Sequence, residues 1–117
     1  MKAQETTPAS RHGQSWTDDE IAATAGAYAA MLRDQHAGRP FSKADVVKEL
    51  LDGPLSGRSR KAVEYRFCNI SAVLSNRSLP TVEGFKPLPH VAKKHRALIA
   101  RLIVGASEQS DVGPDPK

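Results

Sequence analysis

Apolar residues recur at spacings of three and four in four stretches of the chain, and each stretch predicts a helix with one inward side. Ile21, Ala25, Tyr28 and Leu32 form the first stripe, and Val46, Val47, Leu50 and Leu51 the second. Val63, Phe67, Ile70 and Leu74 form the third, while Val91, His95, Leu98 and Leu102 share one side of the fourth. The helix starts are marked as clearly as the stripes. Thr17 with Glu20 three residues later reads as a capping box, and Asp18 and Asp19 suit the positive end of a helix dipole. Trp16 before the cap can staple to Ile21. The same grammar returns at Ser42 and Asp45, with Phe41 stapling to Val46. Gly38 should stop the first helix just after His36, and Asp52-Gly53-Pro54 should stop the second, which spans 43–51. The third opens near Arg58 or Ser59 and runs to Ser75 or Asn76, and the fourth spans 90–104.

Between the third and fourth helices lie Pro80, Pro87 and Pro89, which favour an extended path over 77–89. Thr81-Val82 can make a short strand there, Gly84 can turn the chain, and Phe85 should plug back onto the helices. Residues 1–14 and 105–117 lack both periodicity and core-forming side chains, so each end reads as a disordered tail or linker around a single domain over 15–104. The expected fold is all-α. It is a tri-helical, helix-turn-helix-like bundle with an extended arm and an additional C-terminal helix.

Composition adds little, and charge adds more. A lone Cys68 excludes an internal disulfide and fits a reducing, intracellular (cytoplasmic) setting. No apolar run is long enough to cross a bilayer, and Met1 to Ser15 has no apolar core of a secretory signal. The formal net charge is only +4, but it is unevenly spread. Ten basic residues fall between Arg58 and Arg101 against Glu64 and Glu83 alone, while acids outnumber bases in the rest of the chain. Such polarity points to a polyanion or an acidic protein as partner.

The third helix concentrates that charge. Opposite its apolar stripe lie Arg58, Lys61, Tyr65 and Asn69, with Arg60 and Arg66 on the flanks. Cations can meet phosphate or guanine, and an Asn can pair two-pronged with adenine. The face therefore suits duplex DNA, with Arg58 and Lys61 steering and Asn69 or Tyr65 reading or stacking on a base. Arg77, Lys86, Lys93 and Lys94 would add peripheral phosphate contacts. Other readings stand beside this one: Asn69 can instead tie the helix to the 77–89 arm, and the basic face can instead meet an acidic protein, as in an adaptor or inhibitor. RNA is a third partner, against which counts the lack of an aromatic stacking platform for single strands.

Two resemblances extend the reading. Trp16-Thr17-x-x-Glu20, with Gly57-Arg58-Ser59-x-x-Ala62-Val63-x-x-Arg66-x-x-Asn69, resembles the Myb/SANT tri-helical pattern. The later tryptophans of that core are missing here, with Phe67 as the candidate substitute for one. The string Gly57-Arg58-Ser59-x-x-Ala62-Val63-Glu64-Tyr65-Arg66-x-x-Asn69-Ile70-Ser71-Ala72-Val73-Leu74, followed by Gly84-Phe85-Lys86-Pro87, resembles an N-terminal domain of HNH-type, restriction-endonuclease-like proteins of bacteria and phages. That resemblance spans Trp16 to Pro87 and implies a DNA-associated module of a defence or mobile-element system.

Catalysis finds no foothold in the sequence. His12, His36, His90 and His95 are scattered, and the last two are five apart, which is not the spacing of a zinc pair on one helix face. Cys68 has no His near it in sequence to act as a base, and no glycine-rich phosphate loop is present. The expectation is a non-enzyme with no metal and no cofactor.

Overall fold

The structure, a computed structural model, describes residues 13–104; of the expected tails over 1–14 and 105–117 only Gly13 and Gln14 fall within them, and the Gln14 carbonyl is held by Arg58. Four helices form in order: α1 (Asp18–Ala37), α2 (Lys43–Leu51), α3 (Arg60–Asn76) and α4 (Lys93–Ile99), the last continued by a π-helical turn over Ala100–Val104. The capping grammar holds at the first three starts. Thr17 Oγ1 accepts from the Glu20 amide and Glu20 Oε1 accepts from the Thr17 amide, so the capping box is closed. Ser42 and Ser59 accept from the amides of Asp45 and Ala62. Helices α1 and α3 pack on each other, and each also meets α2 and α4. The fold is an all-α bundle whose centre is the α1–α3 contact.

Tyr28, Phe67 and Phe85 fill that centre, with ring centroids 5.0–6.4 Å apart. Ile21, Val63, Ile70, Leu74 and Ile99 are completely buried around them. Several residues enter the core that the apolar stripes missed, Met31 and Leu55 among them. Met31 is buried in place of its half-buried neighbour Leu32, and Leu55 plugs the base of the bundle from the linker after α2.

The expected strand at Thr81-Val82 does not form, and no strand is present among the described residues. Side chains take the place of a partner strand. Gln35 Nε2 donates to the Thr81 carbonyl and Gln35 Oε1 accepts from the Glu83 amide, at 2.9 and 2.8 Å. The Val82 amide donates to the Tyr28 hydroxyl at 2.8 Å, and that hydroxyl lies 2.8 Å from Ser71 Oγ. Gly84 then turns the chain at φ 95° and Phe85 drops into the core.

The fourth helix starts three residues later than the sequence suggests, because His90 and its neighbours are occupied by contacts to α3. Its buried side is also rotated. His95, Ile99 and Ile103 point inward, whereas Val91, Leu98 and Leu102 are only half-buried. A helix carrying one wider turn at 100–104 no longer follows an even 3.6-residue stripe.

Helices α1 and α3 close with the same hydrogen-bond pattern but different residues. At α1, Arg39 N donates to Asp34 O and Gly38 N to Gln35 O, with Gly38 left-handed at φ 73°. At α3, Leu79 N donates to Leu74 O and Ser78 N to Ser75 O, with Ser78 left-handed at φ 57°. The left-handed position of this motif favours glycine, because a Cβ there crowds the backbone. Ser78→Gly should therefore raise stability by about 0.5–1 kcal/mol, after the extra entropy glycine loses on folding. A denaturant titration checks this, with an unchanged or lower midpoint counting against it.

Candidate nucleic-acid interface

The ten sequence-nominated residues divide into an interior set and a surface set. Arg58 belongs to the interior. Its side chain is only 4% exposed and pairs with an equally buried Glu20, Nη2 to Oε1 at 2.8 Å and Nε to Oε2 at 3.1 Å. It also donates to the carbonyls of Gln14 and Ser15 and lies 4.9 Å from the Trp16 ring centroid. The expected steering role thus gives way to a structural one: this guanidinium fastens the segment before α1 to the start of α3. Arg66 lies 4.5 Å from the same ring centroid, so both guanidiniums pack on Trp16.

Asn69 is likewise interior and 0% exposed. Its Nδ2 donates to the Leu88 carbonyl at 2.6 Å, and its Oδ1 accepts from Arg66 Nη1 at 3.0 Å. Base reading by Asn69 is corrected here, since both ends of the amide are engaged inside the fold. The other sequence reading, a tie between α3 and the arm, describes what this amide does. Leu88 N donates to the Cys68 carbonyl, and the Tyr65 hydroxyl donates to the His90 carbonyl at 3.1 Å. Residues 88–90 therefore run along the side of α3 that the sequence left open. Tyr65 remains 37% exposed beside them. This side of α3 is therefore bordered by the chain's own arm and is not a bare helix face.

The surface set is Arg60, Lys61, Arg77, Lys86, Lys93 and Lys94, all exposed. Arg96 and Arg101 are exposed as well. They entered the charge count but not the nominated site, and only the bundle shows which side of α4 faces out. Among the described residues, Arg60 pairs with Glu64 at 3.3 Å, while Lys61, Lys86, Lys93 and Lys94 meet no carboxylate.

The placement of charge at helix starts is uneven. The first turn of α1 carries Asp18, Asp19 and Glu20, which suits the positive dipole end. The first turn of α3 carries no acid and opens with Arg60 and Lys61. Two exposed cations there oppose the dipole, a small cost that a bound anion would reverse. Tyr65, one turn beyond Lys61, is joined to His90, and Lys93 and Lys94 follow His90 closely in the chain. The Tyr65–His90 bond thus ties the segment leading into α4 to α3 one turn beyond its basic start.

His95 was placed on an inward face by the sequence, but its surroundings were not legible there. The imidazole is 5% exposed, bonds to the Trp16 backbone, and leaves Nε2 without a hydrogen-bond partner among the described residues. Burial, and next the Arg66 charge, hold it below the ordinary imidazole range; Lys94 pushes the same way, while Asp18 and the Trp16 bond oppose them. The unfolded chain thus takes the proton more readily than the folded one. Stability should be full above the ordinary imidazole value of about 6.5 and fall as pH drops from there toward the lower folded value. Thermal melts from neutral to mildly acidic pH test this, with His95→Gln expected to show a shallower fall and an equal fall in both proteins contradicting it.

Cys68 is half-buried, and burial raises its thiol above the ordinary value, which makes a poor nucleophile. No group of three or more His, Cys, Asp or Glu side chains gathers as a metal site among the described residues. No helix among them is long and apolar enough to cross a membrane. No family model, curated protein or solved structure matches the chain.

Proposed function

We propose that this chain is a non-catalytic DNA-associated module that grips the phosphate backbone of a duplex with the exposed cations Arg60, Lys61, Lys86, Lys93 and Lys94. The observation that carries the reading is the basic first turn of α3, exposed and set against the helix dipole, with the segment leading into α4 tied to Tyr65 one turn further on. A chain tuned for stability alone would place acids there, as α1 does. Backbone grip needs no free groove-reading helix. It is compatible with an arm along α3 and with an interior Asn69. The resemblance to the N-terminal domain of HNH-type bacterial and phage proteins supports the same reading, and it assigns the chemistry to a partner domain or protein.

Each phosphate neutralised should add about −0.9 to the slope of log affinity against log salt. Replacing Lys61, Lys93 and Lys94 together by alanine should weaken duplex binding and flatten that slope by roughly 2–3 units if all three touch phosphate. The three lysines are exposed, so thermal stability should barely change. Fluorescence anisotropy with a labelled duplex over a salt series measures both quantities. A duplex that is not retained even at low salt would remove the proposal, as would an unchanged slope in the triple variant. Capture of an acidic protein that duplex DNA cannot displace would favour the adaptor alternative.

A further inference from the structure

We infer that Tyr65 is a stacking site for an unpaired DNA base, so that the module favours duplex bearing a single-stranded stretch over fully paired duplex. The inference rests on the DNA reading above and goes beyond it by naming the form of DNA.

Tyr65 is the exposed large hydrophobic side chain among the described residues, standing out of a helix whose other aromatic, Phe67, is completely buried. Its hydroxyl donates to the His90 carbonyl, so the ring is held from both ends and little rotamer freedom remains to be lost on binding. The surroundings match a nucleotide. Lys61 is exposed one helical turn before it, the His90 carbonyl holds its hydroxyl, and Lys93 and Lys94 are exposed three and four residues beyond His90. Phosphate would meet the lysines and a base face would meet the ring, which is the division of labour in single-strand recognition. Within a paired duplex the base faces are covered by their neighbours. The ring can therefore add affinity only where a base is unstacked.

The test compares one fully paired duplex with the same duplex carrying a short unpaired thymine tail, using the full chain. The tailed DNA should bind more tightly, and Tyr65→Ala should erase roughly tenfold of affinity for it while leaving the paired duplex unaffected. Tyr65→Phe separates ring from tether: it drops the hydroxyl bond to His90 but should keep the preference for the tail. Upfield shifts of the Tyr65 ring protons on adding the tailed DNA would report stacking directly. Equal affinity for both DNAs, or a Tyr65→Ala loss shared equally by both, overturns the inference while leaving the backbone grip intact. Failure of both DNAs to bind at low salt overturns the backbone grip and the inference together.

Discussion

Arg58→Ala is expected to destabilise the fold by about 3–5 kcal/mol, the typical cost of removing one partner from a buried ion pair. The guanidinium lies 2.8 Å from Glu20, packs on Trp16 and holds the Gln14 and Ser15 carbonyls, so one substitution releases four attachments. Glu20 would be left buried without its closest guanidinium while still serving as the N3 member of the capping box. A domain with ordinary stability of about 5–15 kcal/mol would lose a large share of it. Denaturant unfolding measures the loss. A fall below about 1 kcal/mol would show that the pair behaves as a surface contact. A double change of Glu20 and Arg58 to apolar residues of similar size should recover much of the loss, since burying both charges is costly in the first place.

Asn69→Ala should cost about 2–3 kcal/mol, because it strips the Leu88 carbonyl and the Arg66 guanidinium of a buried partner at once. Asn69→Asp distinguishes the two contacts. A carboxylate keeps an attraction for Arg66 but cannot donate to Leu88, so the arm should loosen while α3 stays in place. Hydrogen exchange at the Leu88 amide, which donates to the Cys68 carbonyl, reads that loosening. Exchange unchanged in Asn69→Asp would mean the arm is held without this amide.

Both results follow from side chains whose identity was legible in the sequence but whose direction was not. The helical wheel put Arg58 and Asn69 opposite Val63, Phe67 and Ile70, whereas Arg58 precedes the Ser59 cap of α3 and Asn69 is completely buried. The wheel reports only which way a residue leaves its own helix, and is silent on whether another segment waits there. Glu20 lies 38 positions from Arg58 and Leu88 lies 19 from Asn69, separations that no local periodicity spans. Local grammar, by contrast, was legible at the first three helix starts, while the fourth, which has no side-chain cap, begins later than expected. Thr17, Ser42 and Ser59 cap the helices they were expected to cap, Gly38 ends α1, and Trp16 and Ile21 are both buried as a staple requires.

The arm shows the same division. Its prolines signalled an extended path, and Phe85 plugs the core as expected. The strand failed because strand formation needs a partner, a condition outside the segment's own sequence, and Gln35 and Tyr28 supplied the hydrogen bonds instead. The block from Asn69 to Leu74, which carried the resemblance to HNH-associated domains, is buried along its whole length. Asn69 grips the arm, Ser71 meets the Tyr28 hydroxyl that holds Val82, and the apolar members fill the core. Its chemistry is that of assembling helix and arm. The surface cations lie outside that block and are exposed.

Selection from a randomised duplex pool separates backbone grip from groove reading most directly. With α3 bordered by residues 88–90 and Asn69 engaged inside the fold, the retained DNA should show no enriched base motif, and its retention should weaken steadily as salt rises. A strong consensus that disappears in Asn69→Ala, in a protein that is still folded, would mean that α3 reads bases after all.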